Sequence, residues 1–126
     1  MNLRRVPGRY AVARLPAQAP IPDWLSGPGL VGLVRAEDEL TLICLEDRVP
    51  QGLAAQRGWA CLRSVGPFPL QQPGLLASLL TPLAEAGLAV FALCTFDGEH
   101  LLIEAARADA ALDALRSAGH ALVDPG

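Results

Sequence analysis

The chain has 126 residues, a formal net charge of −3 and ten basic residues that are all Arg. The absence of lysine excludes a phosphate-loop lysine, a Schiff-base lysine and a pyridoxal-phosphate anchor, and the acidic balance leaves no electrostatic footprint for nucleic acid. Apolar residues make up 52% and aromatic ones 5%, so the expected core is Leu, Ala and Val, in one ordinary domain or two very small ones.

In chain order, Met1 to Pro7 is followed by no apolar run of signal-peptide type, and nowhere do the roughly eighteen apolar residues of a membrane span occur together. A cytoplasmic protein is expected. Tyr10 to Leu15 alternates as a strand that Pro16 ends, and Pro16 to Pro22 is an extended loop. Asp23 is placed to cap one turn of helix over Trp24-Leu25 before Gly27-Pro28-Gly29 breaks it. Leu30 to Arg35 and Leu40 to Leu45 are strands joined by the polar turn Ala36-Glu37-Asp38-Glu39, and Glu46 to Gly52 holds a second short helical turn. This half reads β-α-β-β, with a closing strand to be borrowed from Gly58 to Val65.

The stretch from Trp59 to Leu102 carries a fuller unit. Its first strand stops at Gly66-Pro67, a loop runs to Pro73-Gly74, and a helix begins on Leu75 with leucines at 75, 76, 79, 80 and 83 along one stripe. Gly87 stops that helix, and Pro82 inside it removes the bond to the Ser78 carbonyl and bends it. Leu88 to Phe96 and His100 to Ile103 read as strands on either side of a hairpin turn at Asp97-Gly98-Glu99. A second helix, Arg107 to Ala118, turns Ala108, Ala111, Leu112, Leu115 and Ala118 inward, with Asp113 and Arg116 outside; Gly119 caps it and Ala121 to Val123 is the last strand. Trp59 is expected to fill volume where two sheets meet.

Few groups are placed to react. Cys44, Cys61 and Cys94 fall in apolar strand-like runs, odd in number and at no zinc or redox spacing, so buried reduced thiols, no disulfide and no metal are expected. His100 and His120 stand far apart, Ser78 lies mid-helix where its hydroxyl bonds back to the helix, and no Ser sits in a nucleophile elbow. No catalytic residue and no cofactor is assigned. The remaining candidate is the helix start at Gln71-Gln72-Pro73-Gly74-Leu75, whose first N–H groups have no partner within the helix and suit a carboxylate, unless Pro-Gly merely starts the helix. The Arg bias, with many Ala, Leu and Pro, is what a GC-rich genome produces.

The runs Gly58-Trp59, Gly66-Pro67, Gly74-Leu75-Leu76-Ala77-Ser78-Leu79, Pro82-Leu83-Ala84-Glu85-Ala86-Gly87 and Thr95-Phe96 resemble the ACT domain. In the first half Glu39 to Cys44 and Glu46 to Pro50 match as well, and the chain is similar to the small bacterial two-module ACT proteins related to the CASTOR arginine sensors. The resemblance implies an α+β fold of two ferredoxin-like βαββαβ modules, antiparallel sheets with helices on one face, with a reduced module over residues 1–58 and a full one over 59–126. It implies a non-catalytic regulatory sensor of a free amino acid or similar metabolite, with neither nucleic acid nor membrane as partner. The ligand is expected at Gln72, Gly74, Leu75 and Leu76 on the loop and helix start, and at Thr95, Phe96 and Glu99 on the hairpin, at the seam with the first module. Glu99 would receive the ammonium or a cationic side chain. Uncovered sheet edges lead to an expected homodimer. Two rivals are a ligand-free regulatory subunit that pairs with another enzyme, and a small enzyme using Glu99 and His100.

Overall fold

The computed structural model describes residues 1–66, 68–69 and 71–123. Its strands are β1 (Asn2–Leu15), β2 (Gly32–Arg35), β3 (Leu40–Leu45), β4 (Ala55–Ser64), β5 (Val90–Thr95), β6 (Gly98–Glu104) and β7 (Ala121–Val123). The helices are α1 (Leu75–Glu85) and α2 (Ala108–Ser117), with single 3-10 turns at Asp23–Leu25, Glu46–Arg48 and Ala105–Arg107. The chain divides into two compact units, Pro7–Trp59 on the one hand and Met1–Val6 with Ala60–Gly126 on the other, so β1 and β4 each contribute to both. The expected modules 1–58 and 59–126 are drawn differently, because the start of β1 pairs with β7.

In the unit Pro7–Trp59, β3 lies between β2 and β1, antiparallel to both, and β1 is flanked in turn by β4. The four-residue loop closes the β2–β3 hairpin through Ala36 N–H to Glu39 O at 2.8 Å. Ala11, Ala13, Leu40, Leu42 and Cys44 turn one face of this sheet onto Leu25 and Val49 from the two 3-10 turns. Asp23 is the first residue of its turn and makes no capping bond; the capping position is Pro22. With no α-helix here, many loop carbonyls need donors, and arginines supply them. Arg57 bonds the carbonyls of Glu46, Val49 and Pro50, Arg48 those of Leu25 and Pro28, and Arg35 those of Ala17 and Ala19. A guanidinium presents several donors in a fixed fork, which an ammonium does not.

In the other unit the sheet order is β7–β1–β4–β6–β5, with α1 and α2 packed on one face. Leu62, Leu101 and Ile103 of the sheet meet Leu79, Leu83, Ala111, Leu112 and Leu115 of the helices in a single cluster. Two expectations are corrected. β1 begins at Asn2 and not at Tyr10, because Leu3 is a core residue at 1% exposure; and β7 runs parallel to β1, so the sheet is not wholly antiparallel. Ala118 is also exposed, since α2 ends before it. Pro67, half of the expected strand stop, lies outside the described residues; β4 ends at Ser64.

Both helices end alike. Gly87 N–H bonds Ala84 O and Leu88 N–H bonds Leu83 O; Gly119 N–H bonds Arg116 O and His120 N–H bonds Leu115 O. Gly87 and Gly119 have φ of 75° and 95°, the conformation this ending needs. The second ending also sets His120, whose Nε2 lies 2.8 Å from the Ser78 carbonyl. That carbonyl is the acceptor freed by Pro82, so the imidazole donates the bond that proline cannot.

Among the described residues no helix is long and apolar enough to cross a membrane.

Candidate functional site

A cavity of about 230 Å³ opens where the start of α1 faces the β5–β6 hairpin. Gln72, Gly74, Leu75, Leu76, Thr95, Phe96 and Glu99 all line it, together with Phe68, Pro69, Ala77, Cys94 and Gly98. Gly74 sits at the N-cap with φ 84° and has no side chain to offer a bond, so the first-turn N–H groups of α1 have no side-chain cap from it. Ser78 N–H is the first to bond within the helix, to Gly74 O at 2.9 Å. The Ser78 hydroxyl bonds back to Leu75 O at 2.7 Å, as expected of a mid-helix serine.

The hairpin turn falls one residue earlier than its Asp-Gly dipeptide suggested. Thr95 pairs with Gly98, so Phe96-Asp97 is the two-residue loop and Gly98 and Glu99 belong to β6. The reason is steric: a Cβ on Gly98 would come within 2.5 Å of Ser64 Oγ, so the glycine serves a close approach of β4 and not a turn. The slip matters for Glu99, which is thereby held in a strand and buried to 8% exposure.

The carboxylate of Glu99 faces the same side of the sheet as Leu101 and Ile103, at the edge of the core beneath α1. Ser64, fully buried on β4, accepts a bond from Glu99 N–H at 2.9 Å and donates to Glu99 Oε2 at 2.8 Å. The second oxygen, Oε1, bonds no group among the described residues, and no arginine lies within ion-pairing distance of it. Phe96 stands 79% exposed at the rim. Ser64, Phe68 and Cys94 are site residues that the sequence reading missed; a serine in phase with Leu62 on an inward strand face was the available signal for the first.

His100 alternates with Glu99 along β6 and so projects to the opposite face of the sheet, where Glu99 and His100 cannot act on one substrate. Burial lowers the His100 pKa, and the charges of Arg63 and Arg4 push it in the same direction. Folding therefore favours neutral His100: its contribution is complete above the unfolded value of roughly 6.5 and is lost as pH falls below it toward the folded value. His100→Gln is expected to flatten that part of a plot of urea midpoint against pH.

Cys44 and Cys61 are buried, but Cys94 is exposed, which corrects the expectation of three buried thiols. β5 is an edge strand and Cys94 lies near its end, on the wall of the open cavity. Burial raises the Cys44 thiol, against Arg48 and Arg57, and pushes Cys61 up to about 12, against Arg63. A maleimide is expected to label the native protein at Cys94 alone and the denatured protein at all three positions, as read by intact mass and peptide mapping. Among the described residues no three of His, Cys, Asp and Glu are grouped to hold a metal ion.

The other unit has a larger, shallower depression of about 550 Å³ lined by Gly8, Arg9, Pro28, Leu45, Glu46, Asp47 and Arg48. Arg48 there is committed to the Leu25 and Pro28 carbonyls.

The ACT domain family model matches residues 54–117, just over half of the chain and the span that carries the cavity. The chain belongs to the ACT domain family. A second family model, of an N-terminal domain, matches residues 8–52. The crystal structure of protein Atu0741 from Agobacterium tumefaciens is 38% identical, covers 99% of this chain and 93% of its own, and superposes with a TM-score of 0.93. The fold is shared with the regulatory subunit of aspartate kinase from Thermus thermophilus in its ligand-free form, at 16% identity and TM-score 0.62 over 93% of this ACT protein and 94% of that chain. It is shared too with protein VC0802 of Vibrio cholerae, described as a possible transport protein, at 20% identity and TM-score 0.73 over 93% and 88% of the two chains. Comparison with curated proteins finds no match.

Proposed function

We propose that this ACT protein is a non-catalytic regulatory module that binds a free amino acid in the cavity between α1 and the β5–β6 hairpin. One observation carries the reading: among the described residues, the start of α1, which has no side-chain cap, and a Glu99 oxygen that bonds no group line one small cavity, the complements of the two ends of a zwitterion. A helix start favours a carboxylate, and a carboxylate favours an ammonium. The volume of about 230 Å³ is below the range usual for drug-sized ligands, which suits a single amino acid better than a nucleotide. The same proposal takes the unit Pro7–Trp59 as a reduced copy of the module formed by the other unit, two copies of the chain as the working unit, and the cytoplasm as its location. Its ligand-bearing residues are Gln72, Gly74, Leu75, Leu76, Thr95, Phe96 and Glu99.

A thermal-shift panel of the twenty amino acids at millimolar concentration tests it. Arginine belongs in the panel on the strength of the sequence resemblance. With Kd on the order of 10–100 μM, a ligand at 100 times Kd adds roughly 2.7 kcal/mol, a rise in Tm of roughly 10 °C for a chain of this size. If no amino acid moves Tm, the protein is a ligand-free scaffold and the reading is wrong. Light scattering showing a monomer at high micromolar concentration would remove the two-copy arrangement alone.

A further inference from the structure

We infer that Ser64 is the residue through which the cavity distinguishes an ammonium-bearing ligand from the keto acid of the same carbon skeleton, an inference that rests on the amino-acid reading of that cavity. Ser64 is fully buried and is not among the cavity's lining residues, so it is a positioning residue acting through Glu99. Its hydroxyl has one proton. At 2.8 Å the proton goes to Glu99 Oε2, while the 3.5 Å approach to Glu99 O is too long to compete. The same oxygen accepts Glu99 N–H at 2.9 Å, so one hydroxyl grips both the main chain and the side chain of a single residue.

Two consequences follow for a ligand. The Glu99 main chain and Oε2 are tied to the same hydroxyl, which fixes the side chain, and Oε1 bonds no group among the described residues. An ammonium brings a proton to that oxygen; a keto oxygen brings only lone pairs and meets it with repulsion. A carboxylate free to turn would relieve the repulsion by swinging away. With Oε2 tied to β4 it cannot, so discrimination depends on the serine. Gly98 is the accessory to this, since a Cβ there would lie 2.5 Å from Ser64 Oγ and drive the hydroxyl out of place.

The test titrates the L-amino acid that shifts Tm most, and the 2-oxo acid with the same side chain, into wild type, Ser64→Ala, Ser64→Thr and Gly98→Ala by calorimetry. Wild type is expected to prefer the amino acid at least 100-fold. Ser64→Ala, which frees the carboxylate to turn, is expected to weaken the amino acid and strengthen the 2-oxo acid, each by roughly threefold, so the ratio falls about tenfold. Ser64→Thr, which keeps the hydroxyl, should restore the ratio. A purely structural serine would lower Tm without moving the ratio. If Ser64→Ala does not fold, Gly98→Ala is read in its place and the same fall in ratio is expected. A wild type that binds no amino acid overturns the sensor reading itself. A wild type that binds but does not discriminate, or a folded Ser64→Ala or Gly98→Ala that keeps the wild-type ratio, overturns the role of Ser64 alone.

Discussion

Glu99→Gln is expected to weaken amino-acid binding by between about 10-fold and 100-fold while leaving the Tm of the unliganded protein within about 2 °C of wild type. The loss corresponds to a charge-assisted hydrogen bond of about 1.5–3 kcal/mol. The fold should tolerate the change because Gln has the same shape, its amide oxygen still accepts from Ser64 Oγ, and its N–H is untouched. Calorimetric Kd values on wild type and variant, with Tm measured without ligand, decide it. Wild-type affinity in the variant would place the ammonium elsewhere. Gly74 is a poorer probe of the opposite wall: a Cβ there meets open space, but its φ of 84° strains any other residue, so lost binding in Gly74→Val would not separate blocking from unfolding.

Leu101→Ala is expected to cost about 3–4 kcal/mol of stability, the largest effect of any single truncation proposed. Leu101 is completely buried in β6, which lies between β4 and β5, and it shares its cluster with Leu62, Leu79, Leu83 and Leu115. Being held from both sides by strands, the site has little freedom to collapse around the lost atoms. Leu112→Ala, at 7% exposure on α2, should cost less because a helix can settle toward the sheet. Urea unfolding of the two variants measures the difference. A loss below about 1 kcal/mol at Leu101 would mean that the core refills.

How much of this was legible in the chain depends on the range of the forces involved. The bounds of α1 were readable because they are local: Gly74 and Gly87 both take positive φ, at 84° and 75°, and the leucine stripe between them points inward. The cavity-lining residues were named from family resemblance, whereas Ser64, which organises the acid at the site, acts across 35 residues and leaves only a polar letter in an apolar strand. The hairpin slipped by one residue because Gly98 obeys β4 and not its neighbour Asp97. The start of β1 was missed since a strand with arginines at 4, 5 and 9 shows poor alternation; what holds it is β7. The arginine bias, ascribed to base composition, also has structural uses, because Arg35, Arg48 and Arg57 close loops that would otherwise leave carbonyls without donors.

The parallel pairing of Asn2, Leu3 and Arg4 with Ala121, Leu122 and Val123 imposes an order on synthesis. A ribosome adding about 5–20 residues per second delivers β7 on the order of 10 s after β1. Throughout that interval the first strand has an open hydrogen-bonding edge, and Leu3, destined for the core, has no finished core to enter. Nascent chains are thus exposed to aggregation and to chaperone capture until β7 has been made. Substitutions at 121–123 should accordingly reduce the yield of soluble protein in cells by more than their effect on the melting of the finished molecule would suggest.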